Sequence, residues 1–264
     1  MNPEILDILC DPQTRQSLAI LGGQVPERLI RDEGRIWYDM DQGIGVFIRP
    51  NQITGSNRKY QQFYDKIASF YDAYITLTAT LVRRRRWQSA RGELTAQVGP
   101  FNSGERILEV GIGTGLNLEI LPRDVDYYGI DISWRMLQRC QRRSRKLGRP
   151  VHLFLAEAEA LPFKDRSFHA VFTVGGFNFF RDKKAAIDEL IRVAKPGARI
   201  MIVDETEEYV RKVYDRTPVA RGTFKGDVSI ATQAPVEMVP PAMRDLRCVP
   251  LWEGRFYCVS FVTP

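Results

Sequence analysis

The chain is poor in the groups that usually announce metal or redox chemistry, with four cysteines and two histidines in 264 residues. Cys10, Cys140, Cys248 and Cys258 show neither the paired spacing of a metal site nor a disulfide framework, so no metal is expected, and a reducing cytoplasm is the simplest location. His152 and His169 fall at the starts of two expected strands and read as structural residues. No apolar run approaches the ~20 residues needed to cross a bilayer. The acidic, proline-containing start Met1-Asn2-Pro3-Glu4 does not have the pattern of a signal peptide. No Gly-Lys-Ser or Gly-Lys-Thr occurs, which excludes a phosphate loop of the G-x-x-x-x-G-K-[ST] kind.

What is present is a buried strand that ends in an acid and turns through alternating glycines toward a helix. It reads Ile107-Leu108-Glu109-Val110-Gly111-Ile112-Gly113-Thr114-Gly115. Glycine suits such a turn because the chain can take conformations that a side chain forbids, and because ligand atoms can reach main-chain N–H groups. A dinucleotide fingerprint requires G-x-G-x-x-G, yet Leu116 and Leu118 stand where the third glycine belongs, which disfavours NAD and FAD. With 44% hydrophobic residues the chain can bury a sizeable core, expected as one main domain plus an appendage.

The glycine segment resembles E-x-G-x-G-x-G, the first motif of class I S-adenosylmethionine-dependent methyltransferases. Further segments carry the resemblance. Residues 126–132 read as a second strand with Asp131 at its end, where an acid can hold both ribose hydroxyls, and Ile132 would lie against the adenine. Residues 154–171 look like the G-D-A-E-x-L-P-F-x-D-x-S-F-D-x-V stretch of the ubiquinone/menaquinone-type methyltransferases, with Ala156, Glu157 and His169 replacing Gly, Asp and Asp. In that family the acid at Glu157 and the backbone at Ala158 contact the adenine edge. Residues 190–203, with Lys195-Pro196-Gly197, resemble the family's helix, turn and fifth strand. The matches span about 100 residues in the expected order. They imply S-adenosylmethionine as cofactor and a Rossmann-like α/β fold: a seven-stranded, mostly parallel sheet with an antiparallel last strand, helices on both faces, and a terminal hairpin over residues 246–262. The implied cofactor contacts are Tyr64, Tyr71, Glu109, Gly111, Gly113, Gly115, Asp131, Ile132, Glu157, Ala158 and Val174.

Residues 1–52 read as a small β-rich domain that packs on the larger one. They resemble the Trm112-like zinc ribbon without its ligands: Asp11 and Thr14 stand at the first cysteine pair, and Arg31 and Gly34 near the second. A single thiolate, Cys10, cannot make a structural zinc site, so Trp37, Tyr38 and Phe47 are expected to stabilise a metal-free ribbon. Residues 51–58 read as a linker, and 58–264 as the methyltransferase domain, with a helical cap over 58–98 and the Rossmann-like core over 104–264. In the family the segment holding Tyr64 and Tyr71 folds over the cofactor; aromatic residues seven apart also suit a buried helix face.

Basic clusters stand at Arg83 to Arg86 and on the helix after the second strand, at Arg139, Arg142, Arg143, Arg145, Lys146 and Arg149. On that helix Met136, Leu137, Cys140 and Leu147 make the inward stripe and the arginines the outer face. With a net charge of +6, they favour an acidic partner. Arg83 to Arg86, followed by Trp87, suits weak contact with an anionic membrane surface, which would make the protein peripheral to a membrane; nucleic acid is the less favoured partner.

Methyl transfer depends chiefly on alignment and exclusion of water, with a base required only where the nucleophile must lose a proton. Asn178 or Asp204 could orient or deprotonate the acceptor, or serve as caps. The D/N-P-P-Y/F/W signature of enzymes acting on exocyclic amines is absent, while Gly175, Gly176, Phe177, Phe179 and Phe180 suit a flat, apolar acceptor. The expected activity is methylation of a small apolar or aromatic, quinone- or lipid-like acceptor. The alternatives are an rRNA base methyltransferase and a non-catalytic S-adenosylmethionine-binding module.

Overall fold

The computed structural model describes residues 3–21, 28–31, 36–49, 51–81, 93–94, 96–97, 99–214 and 233–264. The strands are β1 Ala19–Leu21, β2 Arg28–Arg31, β3 Ile36–Asp41, β4 Ile44–Val46, β5 Arg106–Val110, β6 Asp126–Asp131, β7 His152–Leu155, β8 Phe168–Val174, β9 Ala194–Glu205, β10 Arg244–Leu251 and β11 Phe256–Val262. The helices are α1 Pro3–Leu6, α2 Gly55–Leu81, α3 Trp134–Leu147, α4 Lys183–Val193 and α5 Glu207–Tyr214. Among the described residues eleven strands join one sheet in the order β1-β2-β3-β4-β7-β6-β5-β8-β9-β11-β10.

The expected seven strands are β5 to β11. β7, β6, β5, β8 and β9 run parallel, and β11 enters antiparallel between β9 and β10. Strand order reverses between β5 and β8, which opens a crevice at their carboxyl ends, where α/β sheets bind ligands. Residues alternate between two cores. Ile200 and Ile202 of β9 pack with Ile187 and Leu190 of α4, whereas Met201 and Val203 share the opposite face with Leu137 and Cys140 of α3.

The β-rich N-terminal segment extends this sheet. β4 pairs in parallel with β7, with Ile44 opposite Leu153 and Val46 opposite Leu155, and β3, β2 and β1 follow antiparallel. Ile5, Ile8, Leu9, Leu18, Leu29 and Phe47 lie in the same core as Val171 and Leu190. Such a short segment has too little interior of its own, and burying its apolar face against the larger unit supplies the remainder. Arg15 fastens the join, donating to the Leu161 carbonyl at 3.1 Å and to Glu189 Oε1 at 2.7 Å. The side chain of Trp37 lies outside the described set.

Several expected boundaries move. The linker ends at Thr54, because residues 55–58 already belong to α2. After Gly115 the chain makes only a 3-10 turn, Leu116–Glu119. The carbonyls of Leu118 and Leu121, which would continue a helix, accept instead from Arg149. β9 is followed at once by α5.

Candidate active site

The glycine turn has two separate jobs. Gly111, Gly113 and Gly115 all take left-handed backbone, at φ 77°, 56° and 74°. At Gly115 a Cβ would sit 2.6 Å from Cys140 Sγ and 2.9 Å from Leu118 Cδ1, so its hydrogen lets α3 pack against the turn. At Gly113 a Cβ would meet nothing within 4 Å, so this position borders open space. The Gly113 N–H donates to Asp131 Oδ2 at 2.8 Å, and the Ser133 N–H donates to Asp131 Oδ1 at 2.8 Å. Asp131 is thereby fixed at the tip of β6 beside the turn, and each oxygen keeps a second lone pair for a hydroxyl. Burial pushes its carboxyl up to about 6, against the pull of those amides, and Asp65 adds to the rise. Ile132 follows half-buried.

Glu109 departs from the expected role. It is 2% exposed; Asn117 Nδ2 donates to its Oε1 at 2.6 Å and the Tyr127 hydroxyl donates to its Oε2. Buried to this extent behind its two partners, Glu109 braces the floor of the turn and has no surface for a ligand. Burial pushes its carboxyl up to about 8.

Helix α2 closes one side. Asn57, 5% exposed, donates through Nδ2 to Glu157 Oε1 at 2.9 Å and to Glu159 Oε2 at 3.3 Å, while its Oδ1 accepts from the Arg181 amide at 3.2 Å. One buried amide thus links the helix, the segment holding Glu157 and the buried Ala158, and the start of α4; no sequence motif marked it. One and two turns further along, Tyr60 and Tyr64 meet Phe179 edge-on at 5.0 and 5.8 Å, and Asp65 Oδ1 accepts from the Ser133 hydroxyl at 2.6 Å. Tyr64 is thereby held against the segment that follows β8. The backbone of Tyr71 continues the helix, but its side chain lies outside the described set, as do residues 83–86.

Across the crevice Val174 is half-buried and Gly175 takes φ 72° with open space beside it. Asn178 and Asp204, the two proposed catalytic groups, prove to be a brace. Asn178 N donates to Asp204 Oδ2 at 2.8 Å, Asn178 Nδ2 to the Glu205 carbonyl at 3.0 Å, and the Tyr257 hydroxyl to Asn178 Oδ1 at 2.9 Å. Both are buried, at 5% and 1% exposure, with their polar atoms paired, so neither is placed to touch an acceptor. Burial pushes the Asp204 carboxyl up to about 6.

The hydroxyls of Thr114, in the turn, and Thr173, on β8, are buried without a partner among the described residues. An unsatisfied buried hydroxyl costs about 1–3 kcal/mol, which calls for a reason to keep it. Open backbone at Gly113, an acid fixed at the tip of β6 and unspent hydroxyls beside the turn together fit a nucleoside that carries a charged amino-acid tail. The histidines take no part: His152 pairs with Asp126 at 3.0 Å and His169 meets Lys195 Nζ at 2.7 Å, at the opposite ends of their strands. Arg149, read as a surface residue, is 8% exposed beyond the Gly148 cap, its guanidinium donating to the carbonyls of Leu118, Leu121 and Pro122.

Comparison with known proteins agrees with this geometry. Residues 108–202 match a family model described as a methyltransferase domain. A demethylmenaquinone methyltransferase of Thermotoga maritima is 28% identical over 188 residues, covering 66% of this chain and 78% of the relative. A ubiquinone/menaquinone biosynthesis C-methyltransferase of Wigglesworthia glossinidia brevipalpis is 31% identical over 168 residues, covering 60% of this chain and 65% of the relative, just under two thirds of its length. A solved S-adenosylmethionine-dependent methyltransferase from Thermotoga maritima shares the fold, with a TM-score of 0.54 at 19% identity over 75% of this chain and 98% of that one. Residues 108–202 therefore form a methyltransferase domain, and the chain is an S-adenosylmethionine-dependent methyltransferase.

Proposed function

We propose that the protein methylates a small aromatic, quinone- or lipid-like acceptor. The observation that carries this reading is the aromatic cluster at the carboxyl end of β8, where Tyr60 and Tyr64 from α2 meet Phe179 from the segment that follows the strand. The two quinone-methylating relatives named above support it. When bound, S-adenosylmethionine supplies an electrophilic methyl group on a sulfonium. Asp131 would accept from the ribose hydroxyls, the Gly113 backbone would lie against the amino-acid tail, and Glu157 with the Ala158 backbone would hold the adenine edge. The α2 cover would exclude water from the reacting atoms. Label transfer from methyl-tritiated donor to a demethylated naphthoquinol tests the reading; transfer to rRNA fragments but not to the quinol would overturn it.

One observation favours the RNA reading. α3 contains no acid, and Arg135, Arg142, Arg145 and Lys146 are exposed on it. The same face suits an anionic membrane surface, which would bring a lipophilic acceptor within reach of a peripheral cytoplasmic enzyme. RNA binding would weaken steeply with salt. A non-catalytic module would bind the donor and transfer nothing to either acceptor.

The N-terminal segment reads, on the same footing, as a metal-free ribbon. Asp11, 1% exposed, accepts at Oδ1 from the amides of Gln13 and Thr14, both at 2.8 Å, and at Oδ2 from the Tyr38 hydroxyl at 2.8 Å. A carboxylate thus ties the turn that a metal would otherwise tie.

A further inference from the structure

β9 ends in two adjacent acids on opposite faces of the sheet. Asp204 is consumed by the brace. Glu205 follows Met201 and Val203 onto the other face and stands directly opposite Phe256 of β11. Side chains paired this way across antiparallel strands have Cβ atoms about 5 Å apart. Phe256 meets Trp252 edge-on at 4.3 Å, and its ring centroid lies 6.0 Å from that of Tyr209 on α5. Val174, at the crevice end of β8, belongs to the same face. The Glu205 backbone is held on both sides, its N–H donating to Asp204 Oδ1 at 2.7 Å and its carbonyl accepting from Asn178. Its carboxylate receives no hydrogen bond and no ion pair among the described residues, and the residue keeps some contact with solvent. An acid fixed by its backbone, bare at its head and walled by aromatic rings is costly unless its charge is used.

We propose that Glu205 is the catalytic base, taking a proton from an aromatic hydroxyl acceptor that lies against Phe256, Trp252 and Tyr209. The inference rests on the aromatic-acceptor reading above and narrows it to acceptors with an acidic ring hydroxyl. The acceptor O–H bond breaks, its proton passes to a Glu205 carboxylate oxygen, and the electron pair stays on the acceptor oxygen and spreads into the ring. The carboxyl later returns the proton to water. Burial pushes the Glu205 carboxyl up to about 7, with Asp204 adding to the rise, which suits a base working near neutral pH. Most charged groups on the surrounding elements have other partners, and Lys212 is exposed on α5. Lys183 lies near Asp204, Glu207 pairs with Arg211, Arg255 pairs with Glu253 beside Tyr209, and Glu93 accepts from the Trp252 amide at 3.4 Å. Glu208 is exposed on α5.

The test uses the full chain saturated with S-adenosylhomocysteine and titrated with 2-naphthol, with 2-methoxynaphthalene as the probe lacking a proton. Calorimetry should show 2-naphthol affinity falling about tenfold between pH 8 and pH 6, as a charge-assisted hydrogen bond to Glu205 is lost. Affinity for 2-methoxynaphthalene should stay level, and Glu205→Gln should bind both probes without pH dependence. Trp252→Ala should weaken both. Where Glu205→Gln does not fold, carbon NMR of glutamate-labelled parent protein replaces it: one carboxyl should titrate near neutrality and move when 2-naphthol is added. Unchanged pH dependence in Glu205→Gln, or no such carboxyl, overturns the base assignment. Binding of S-adenosylhomocysteine without binding of either naphthalene overturns the acceptor surface alone, whereas failure to bind S-adenosylhomocysteine overturns the reading beneath it.

Discussion

Replacing Gly113 by alanine should damage ligand binding far more than stability, and two other glycines provide the measure. Gly113 and Gly148 have nearly the same backbone, at φ 56° and 58°, and an added Cβ meets nothing within 4 Å at either. Left-handed backbone costs an alanine about 1–2 kcal/mol, and the stiffer unfolded chain returns about 0.4–1 kcal/mol, so each variant should lose about 1 kcal/mol in urea unfolding. Gly115→Ala carries the same strain plus contacts at 2.6 and 2.9 Å with Cys140 and Leu118. Overpacking of that kind adds about 1–3 kcal/mol, giving roughly 2–4 kcal/mol in total. Calorimetry with S-adenosylhomocysteine then separates position from strain. Gly148→Ala should bind like the parent, while Gly113→Ala should lose roughly 10- to 100-fold, equivalent to about 1.4–2.8 kcal/mol. Equal affinity in those two variants would refute the assignment of Gly113 to the ligand face.

Other outcomes follow from the buried acids and from the N-terminal join. The Glu109 carboxyl is raised to about 8 in the folded chain, so its contribution to stability is full below its unfolded value near 4 and is lost as pH rises toward 8; Glu109→Gln should remove that slope from urea midpoints. Asp131, raised to about 6, must be ionised to accept both ribose hydroxyls, so S-adenosylhomocysteine affinity should fall below pH 6, and Asp131→Asn should be weak throughout. Glu189→Ala leaves Arg15 only the Leu161 carbonyl and Arg192 only Asp165 and two carbonyls, and should cost about 1.5–3 kcal/mol, against less for Arg15→Ala; equal losses would deny that Glu189 is the hub. Dialysis against EDTA should leave the thermal midpoint unchanged, because Asp11 ties the ribbon turn; a fall would reveal a bound metal.

The ligand-facing half of the site was legible in the sequence because it is local. A strand, a glycine turn and an acid at the next strand's tip occur within some twenty-five residues, and the fold brings the Gly113 amide to the Asp131 carboxylate. What was not legible depends on pairings distant in sequence. Asn178 and Asp204 look like free polar groups until Tyr257 and the Glu205 carbonyl complete their hydrogen bonds. Arg149 fits the basic stripe of α3 by composition, but lying past the Gly148 cap it turns back into the carbonyls of the glycine turn's own extension. Glu205 is inconspicuous beside Asp204, since only strand alternation reveals that neighbouring acids lie on opposite faces of the sheet. The N-terminal segment was recognisable as β-rich, but periodicity does not report the partner of an edge, and β7 could not be named from it.

The parallel pairing of β4 with β7 also decides what the sheet presents to other chains. Without residues 1–52, β7 would offer an open row of amides and carbonyls running beside three buried residues, Leu153, Phe154 and Leu155, a template for unwanted strand addition. The exposed end is moved instead to β1, three residues long, while the far end is β10, guarded by Arg244, Asp245, Arg247 and Pro250. The N-terminal segment thus works as a built-in safeguard against aggregation, and a chain trimmed to its methyltransferase domain should keep its crevice yet self-associate through β7.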